Sequence, residues 1–166
     1  MQKDTIAIHA GYDKKNGNGE MAIPISQTTA YAFRDAEHAA NLFALKELGP
    51  IYTRLNNPTN DILEQRYAQL ENGAAALVTA SGASAIFYSI ANIAEAGDNI
   101  LISDKLYGGS VTLFHFTLKR FGISVKTFKS DDASDLESLV DDKTKGIFFE
   151  SLSNPQIAIP AIEKIV

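Results

Sequence analysis

The pattern of apolar and polar positions along the chain predicts one helix before Pro58 and regular alternation after it. Over residues 36–48 the apolar side chains recur at helical spacing, and Gly49-Pro50 is a typical end for such a helix. The rest of the first fifty residues lacks a clear period. This part of the chain is therefore expected to be less regular than residues 58–166.

After Pro58 apolar runs of strand length alternate with segments of helical period. The predicted elements, in chain order, are a helix capped by Thr59 or Asn60 and ended by Gly73, a buried strand at 74–80, a helix at 82–96, a strand at 99–103, a helix at 110–121, a strand at 123–128, a short helix at 134–140, a strand at 146–150 and a helix from Pro160 onward. Such alternation predicts an α/β fold with a mostly parallel sheet.

Composition narrows the possible partners. The 166 residues carry a formal net charge of -5, with a pI near 5.1, which argues against nucleic acid or a membrane surface as partner. Cysteine is absent, so disulfides, thiolate zinc sites and a cysteine nucleophile are excluded, in keeping with a reducing compartment. We therefore expect a soluble, cytoplasmic protein that binds neither nucleic acid nor membrane.

The stretch YTRLNNPTN, residues 52–60, contains the first candidate binding site. If the chain is extended there, Tyr52 and Arg54 point the same way, and an arginine fork suits a phosphate or a carboxylate. A surface loop with one cation is the alternative, and spacing alone does not decide between them.

Further candidates follow the predicted strands, because ligands of open α/β sheets bind at the carboxyl ends of the strands. Ser81, Gly82 and Ala83 form a small-residue turn whose free N–H groups suit phosphate, although helix packing also favours small residues there. Tyr107 precedes two glycines and could stack on an aromatic ligand or pack internally. Polar residues 150–154 follow the last strand, and three such ends on one edge favour a ligand site.

Motifs of other nucleotide-binding, hydrolase and metal-binding sites are absent from the sequence or match it only loosely. The sequence contains neither GxxxxGK[ST] nor a GxGxxG between a strand and a helix, and residues 82–86 match the GxSxG elbow of hydrolases only loosely. None of the three histidines has a partner at metal-ligand spacing, so no metal site is predicted.

Together, IHAGY, PISQTTAYAF, YTRLNNPT, ALVTASGASA, GDNILISDKLYGGS and ESLSNP occur in an order that strongly resembles the Cys/Met-metabolism family of pyridoxal-phosphate enzymes. The stretch NLFALKELGPIYTR resembles the O-acetylhomoserine sulfhydrylase branch of that family. The resemblance implies an aspartate-aminotransferase-like, fold type I large domain with an N-terminal arm.

The resemblance also implies roles for individual residues. The phosphate of pyridoxal phosphate would be bound by Tyr52 and Arg54 of a neighbouring subunit and by Ser81, Gly82 and Ala83. Tyr107 would stack on the cofactor ring and move protons, which makes Tyr107, together with Tyr52, the expected catalytic residues. Asn154 and Glu150 match polar positions on the cofactor and substrate-carboxylate side.

The family's cofactor lysine and the acidic partner of its pyridine nitrogen lie in later segments that have no match here. Lys143 and Lys145 precede a predicted strand and are expected at the solvated surface. We therefore expect these residues to be the N-terminal part of a longer enzyme and inactive alone. Residues 1–57 would form an arm and helix that reach a neighbouring subunit, and residues 58–166 the first part of the pyridoxal-phosphate domain.

The implied activity is replacement of the acetoxy group of O-acetyl-L-homoserine by sulfide or a thiol, giving homocysteine or methionine and acetate. The expected assembly is a homo-oligomer built from a catalytic dimer, and a tetramer is common in the family. Two alternatives stay open at this point: a γ-lyase or cystathionine γ-synthase type of enzyme, and a non-catalytic α/β module.

Overall fold

The computed structural model describes residues 2–16 and 19–166, and these divide into two compact units. The first comprises Met1–Val78 and the second Thr79–Val166. Within the described residues, no helix has the length and apolar character needed to cross a bilayer.

The helices and strands, in chain order, are α1 Lys3–His9, a 3-10 turn Lys14–Asn16, α2 Ala36–Phe43, α3 Pro58–Leu70, α4 Gly82–Ile93, β1 Asn99–Ser103, α5 Gly108–Thr112, β2 Ser124–Phe128, α6 Leu136–Leu139, β3 Thr144–Phe148 and α7 Ile162–Ile165. A π-helical turn, Leu113–Thr117, and a 3-10 turn, Leu118–Phe121, continue α5.

In the first unit the N-terminal residues lie along α3. The Nε of Arg66 donates a hydrogen bond to the carbonyl oxygen of Ala10, at 2.9 Å. Gly11 has a φ of +79°, and a Cβ at this position would lie 2.4 Å from the carbonyl oxygen of Ile62. Only glycine permits both the left-handed backbone and this close approach, so the IHAG segment is fixed against the helix.

In the second unit three parallel strands form a sheet in the order β2-β1-β3. All five residues of β1 are buried, which its uninterrupted NILIS run favours for the central strand of a parallel sheet. One core cluster joins β1 to α4 and the α5 segment, and its buried members are Ile90, Ile100, Ile102, Leu106, Phe114, Leu118 and Ile123. Leu101, Phe128 and Leu136 form a second cluster.

The prediction of an α/β fold with a parallel sheet is confirmed, and β1 has the predicted bounds. The predicted strand at 74–80 is wrong. This segment pairs with no strand among the described residues, and Leu77 is 76% exposed. Its backbone is held instead by Glu64, whose carboxylate accepts from the Val78 N–H at 2.9 Å. Apolar composition indicates a strand, but a strand forms only where a neighbour supplies hydrogen bonds.

Three helix ends also differ from prediction. The helix predicted over 36–48 ends at Phe43, because the chain turns at Leu45, which has a φ of +55° and is 79% exposed. The helix predicted over 82–96 ends at Ile93. The helix after Pro58 ends at Leu70, and Asn72 takes a left-handed conformation before Gly73.

The remaining elements move by a few residues. The strand predicted at 146–150 is Thr144–Phe148, and the short helix predicted at 134–140 is Leu136–Leu139. The segment predicted as a helix at 110–121 is helical throughout, but contains π and 3-10 turns. Gly122 ends it in a left-handed conformation, with a φ of +79°.

Asp141 links residues of all three strands, the first residues of β1 and β3 and the middle residue of β2. Its carboxylate accepts from Lys126 Nζ at 2.6 Å, from Asn99 Nδ2 at 2.8 Å and from the Lys143 N–H at 2.9 Å. Thr144 Oγ1 lies 3.2 Å from the same carboxylate. The Lys126 ammonium, followed by Asn99 and the Lys143 N–H, holds the pKa of Asp141 well below its ordinary value of 3.8.

We predict that Asp141→Asn lowers the thermal unfolding midpoint of the full-length protein at pH 7. Because folding lowers the pKa, the charged carboxylate stabilises the folded state fully above the ordinary carboxyl pKa of about 4, and this stabilisation is lost as pH falls further. The difference between wild type and variant should therefore narrow at acid pH. Asp142→Asn, at an exposed neighbouring position, is the control, and an equal difference at pH 7 and pH 3 would contradict the assignment.

Candidate functional site

Tyr52 and Arg54 belong to a tight turn in the first unit. The carbonyl oxygen of Tyr52 accepts from the N–H of Leu55 at 2.7 Å and from the N–H of Asn56 at 3.1 Å. The chain is extended only as far as Tyr52, which forms an antiparallel bridge with Ala30, and it turns over residues 53–55, so the extended geometry considered for Tyr52 and Arg54 does not continue to Arg54. The two side chains nevertheless meet, because the guanidinium carbon of Arg54 lies 5.1 Å from the centroid of the Tyr52 ring.

Asn57 fixes this turn to its surroundings. Its buried side chain caps α3 through Oδ1, which accepts from the Thr59 N–H at 2.9 Å. Its Nδ2 lies 2.9 Å from the carbonyl oxygen of Ser26 and 3.2 Å from both Thr53 Oγ1 and the Tyr31 hydroxyl. One amide thus joins the helix start, the turn and the segment around residue 26. The predicted cap at Thr59 or Asn60 is wrong by two or three residues.

Asn56 holds the chain on the other side of the turn. Its Oδ1 accepts from the Ile51 N–H at 3.0 Å, and its Nδ2 donates to the Gly49 carbonyl oxygen at 2.7 Å. Residues 51–53 also pair with residues 28–31, where the Thr53 N–H donates to Thr29 O at 2.9 Å. The Tyr52-Arg54 turn is consequently held by hydrogen bonds from Asn56, from Asn57 and from residues 28–31.

The Arg54 guanidinium is available for an anion. Arg54 is exposed, and it makes no hydrogen bond or ion pair with any residue that the structure describes. It lies at an apolar hollow of about 450 Å³ and carries the one charge among the eight lining residues, which are Ala30, Tyr31, Phe33, Phe43, Ile51, Tyr52, Arg54 and Leu55. A fork of donors without a protein acceptor suits a phosphate or carboxylate supplied from outside this unit.

In the second unit, α4 begins with two unused backbone donors. Ser81 caps the helix, its Oγ accepting from the Ser84 N–H at 3.1 Å. The N–H groups of Gly82 and Ala83 have no acceptor among the described residues. Gly82 and Ala83 are exposed, and a Cβ on Gly82 would meet nothing within 4 Å, so open space lies beside the start of α4. The donors, the helix dipole and the open space fit a phosphate group.

Tyr107 and Glu150 come together at the carboxyl ends of β1 and β3. Glu150 Oε1 accepts from the Tyr107 backbone N–H at 3.0 Å, and Oε2 lies 3.3 Å from the Asn154 N–H. Tyr107 as a residue is 55% exposed, which leaves its ring accessible. Both Glu150 oxygens are therefore used by backbone donors, and the prediction that Glu150 lines a cofactor stays a prediction.

Asn154 lies in a loop that is closed by Ser153. The buried Ser153 donates its N–H to the Ala158 carbonyl oxygen, and its Oγ accepts from the Ala158 N–H, both at 3.0 Å. The side chain of Asn154 is exposed and makes no hydrogen bond within the described chain. Its amide is free to donate to, and accept from, a ligand.

Sequence reasoning missed two residues that shape these sites, Asn57 and Gly109. An Asn directly before a proline at the first helical position is a cap signal, so Asn57 could have been identified. The closeness of Gly109 to the Tyr107 ring depends on a side-chain rotamer and leaves no signal in the sequence. No described group of three or more His, Asp or Glu side chains could hold a metal ion.

We predict that Asn57→Asp destabilises the full-length protein by about 1–3 kcal/mol, because the carboxylate keeps the cap but loses the three contacts of Nδ2. Urea unfolding measures the change. Asn60→Asp is the matched control, since Asn60 is exposed in the first turn of α3, where a carboxylate is favourable. Equal stability of Asn57→Asp and wild type would show that the cap alone matters.

Comparison with known proteins identifies the family of the chain. The sequence profile of the family described as Cys/Met metabolism PLP-dependent enzyme matches residues 4–166. Homocysteine synthase of Schizosaccharomyces pombe is 45% identical over 162 residues, which are 98% of this chain and 38% of that protein. O-acetyl-L-homoserine sulfhydrylase 1 of Thermus thermophilus is 46% identical over 166 residues, 99% of this chain and 39% of that protein. The chain thus spans about two fifths of the length of these curated relatives.

Solved structures match the fold. A crystal structure designated O-acetylhomoserine (thiol)-lyase, from Campylobacter jejuni, has a TM-score of 0.94 and 50% identity, over 99% of this chain and 41% of that one. It contains N'-pyridoxyl-lysine-5'-monophosphate. Cystathionine γ-lyase of Lactobacillus plantarum, complexed with L-serine, has a TM-score of 0.86 and 28% identity, over 99% of this chain and 42% of that one.

The predicted fold type I architecture is confirmed by these structures. Their likeness runs from the N-terminal segments through the parallel sheet to the last helix, because it covers 99% of the chain. With the family profile matching residues 4–166 as well, the chain belongs to the Cys/Met metabolism family of PLP-dependent enzymes.

Proposed function

We propose that the full-length protein replaces the acetoxy group of O-acetyl-L-homoserine with a sulfur nucleophile, in methionine biosynthesis. With sulfide the C–O bond at the γ-carbon breaks, a C–S bond forms, and the products are L-homocysteine and acetate. With a thiol the corresponding thioether, such as methionine, forms instead. The observation that carries this proposal is identity of 45–46% along almost the whole chain to relatives named homocysteine synthase or O-acetylhomoserine sulfhydrylase.

The phosphate of pyridoxal phosphate would be held from two directions. In one subunit the N–H groups of Gly82 and Ala83, at the start of α4, would donate to the phosphate, and the Ser81 hydroxyl lies beside them. Tyr52 and Arg54 would come from a neighbouring subunit, where the unpaired guanidinium supplies charge and paired donors. The open space at Gly82 and the lack of a protein partner for Arg54 support this arrangement.

Tyr107 and Asn154 would act on the substrate side of the site. Pyridoxal phosphate, when bound, supplies the conjugated ring that stabilises negative charge beside the amino-bearing carbon. The exposed ring of Tyr107 is suited to stacking, and its hydroxyl, which has no partner among the described residues, is suited to holding or moving a proton at the substrate amino group. The free amide of Asn154 would orient the substrate carboxylate or the cofactor.

The shared site implies a homo-oligomer. In this proposal residues 1–57 are the arm that carries Tyr52 and Arg54 to a neighbour, and residues 58–166 begin the cofactor-binding domain. A catalytic dimer is the minimum assembly, and a tetramer would be a pair of such dimers. A cytoplasmic location stays a prediction.

A γ-elimination enzyme is the second candidate, favoured by the TM-score of 0.86 with the cystathionine γ-lyase of Lactobacillus plantarum. The identity of 28% to that protein, against 50% to the Campylobacter jejuni structure, ranks it second. The two reactions differ in whether the γ-carbon gains sulfur or the amino group leaves as ammonia.

We predict that the full-length protein, given O-acetyl-L-homoserine and sulfide, forms homocysteine and acetate in equal amounts. Chromatographic product analysis measures both, with O-succinyl-L-homoserine as the matched substrate that tests the leaving group. Formation of 2-oxobutyrate and ammonia instead would establish elimination. A full-length protein that acquires no visible cofactor absorbance with pyridoxal phosphate would refute the proposed function.

We predict that Arg54→Ala weakens binding of pyridoxal phosphate by the full-length oligomer about 10- to 100-fold, because the phosphate loses its charged, forked donor. Tyr52→Phe removes one hydroxyl and keeps the ring, so it should weaken binding of pyridoxal phosphate by a smaller factor than Arg54→Ala does. Titration followed by visible absorbance gives the dissociation constants. Arg120→Ala is the control, because Arg120 is exposed and forms no ion pair with a described residue. Equal affinity of Arg54→Ala and wild type would exclude Arg54 from the phosphate site.

A further inference from the structure

The Glu150 carboxylate is the connection between two loops of the second unit. Glu150 follows β3 and Tyr107 follows β1, which are neighbours in the sheet. One oxygen of the carboxylate accepts from the Tyr107 N–H at 3.0 Å and the other lies 3.3 Å from the Asn154 N–H. Each of these loops carries one side chain that the proposed function places at the ligand.

A carboxylate suits this position better than other side chains do. It is an acceptor at both oxygens, and hydrogen bonds to an ionised acceptor are stronger than those between neutral groups. Glutamine has the same size but would direct an NH₂ group at one of the two backbone N–H donors. Exchanging Glu150 for Gln therefore sets a donor against a donor without changing the volume.

The approach to Tyr107 is already fixed on its N-terminal side. The N–H of Asp104 donates to the Phe128 carbonyl oxygen at 3.0 Å, and the Asp104 carboxylate accepts from the Ser130 Oγ at 2.7 Å. Leu106 is buried in the core. These contacts hold residues 104–106, so the positions of the Tyr107 backbone and ring depend on further contacts.

The absence of a side chain at Gly109 leaves space for the Tyr107 ring. A Cβ at Gly109 would lie 2.5 Å from Cε1 and 3.1 Å from Cδ1 of that ring, so the ring rests where any other residue would have its side chain. A Cβ at the adjacent Gly108 would meet nothing within 4 Å. Of these two neighbouring glycines, only Gly109 is required by the observed position of the ring.

We propose that Glu150 is a positioning residue, which sets Tyr107 and Asn154 jointly at the ligand, and that Gly109 completes this by admitting the Tyr107 ring. The inference rests on the proposed function, in which Tyr107 stacks on the cofactor. It assigns the Glu150 carboxylate to the backbone of the site rather than to direct contact with substrate or cofactor.

The test uses the full-length protein loaded with pyridoxal phosphate and compares Glu150→Gln with wild type. The readout is visible circular dichroism per bound cofactor, which reports the asymmetric surroundings of the cofactor ring, together with kcat and KM. We expect unchanged cofactor content, a dichroic signal reduced about twofold or more, and a kcat about tenfold lower. Glu137→Gln is the matched control, because Glu137 is exposed and has no hydrogen-bond partner among the described residues.

The pair Gly109→Ala and Gly108→Ala tests the same inference without altering the carboxylate, and so remains decisive if Glu150→Gln folds poorly. Gly109→Ala should reduce the dichroic signal and kcat, whereas Gly108→Ala should resemble wild type. A Glu150→Gln or Gly109→Ala protein with the dichroism and kinetics of wild type overturns the inference. A wild-type protein without any cofactor signal would instead overturn the proposed function itself, so the two failures are distinguishable.

Discussion

Parallel pairing of β1 on both of its edges is the constraint on which the second unit depends. Because β2 and β3 both run parallel to β1, the carboxyl ends of all three strands lie along one edge of the sheet. Because all five residues of β1 are buried, the central strand of the sheet lies within the hydrophobic core. The contact between Glu150 and Tyr107 is then a direct result, since the two residues follow adjacent strands.

The first unit depends on a different kind of interaction, a buried side-chain amide. The Asn57 side chain both accepts and donates hydrogen bonds. It caps the start of α3, and it also bonds to Ser26 and to Thr53 in the turn that contains Arg54. No apolar residue could link three segments of the chain by hydrogen bonds in this way. The irregular first part of the chain is therefore held by specific polar contacts more than by a large core, and Leu42 and Ala10 are its buried apolar residues within the described chain.

The sequence predicted those features that depend on local pattern. The strand at 99–103 is a buried apolar run, and Ser81 to Ala83 form a helix start as expected from small residues after an extended segment. Where a feature depends on residues distant in the chain, the prediction was wrong or the feature was missed. The segment 74–80 has strand composition but no paired neighbour, and the turn at Tyr52 depends on bonds to segments some 25 residues away in the chain. The place of Gly109 is visible only once the Tyr107 rotamer is known.

The stacking of Arg54 on the Tyr52 ring has a consequence for the energetics of anion capture. An exposed arginine normally loses much rotamer freedom when its fork is immobilised, and this entropy loss weakens binding. Here the guanidinium carbon lies 5.1 Å from the centroid of the Tyr52 ring, and the guanidinium N–H groups have no acceptor within the described chain; in the proposed phosphate site this contact would reduce the entropy loss. An arriving dianion would thus meet a preorganised receptor, and a smaller fraction of the electrostatic attraction would be spent on ordering the side chain.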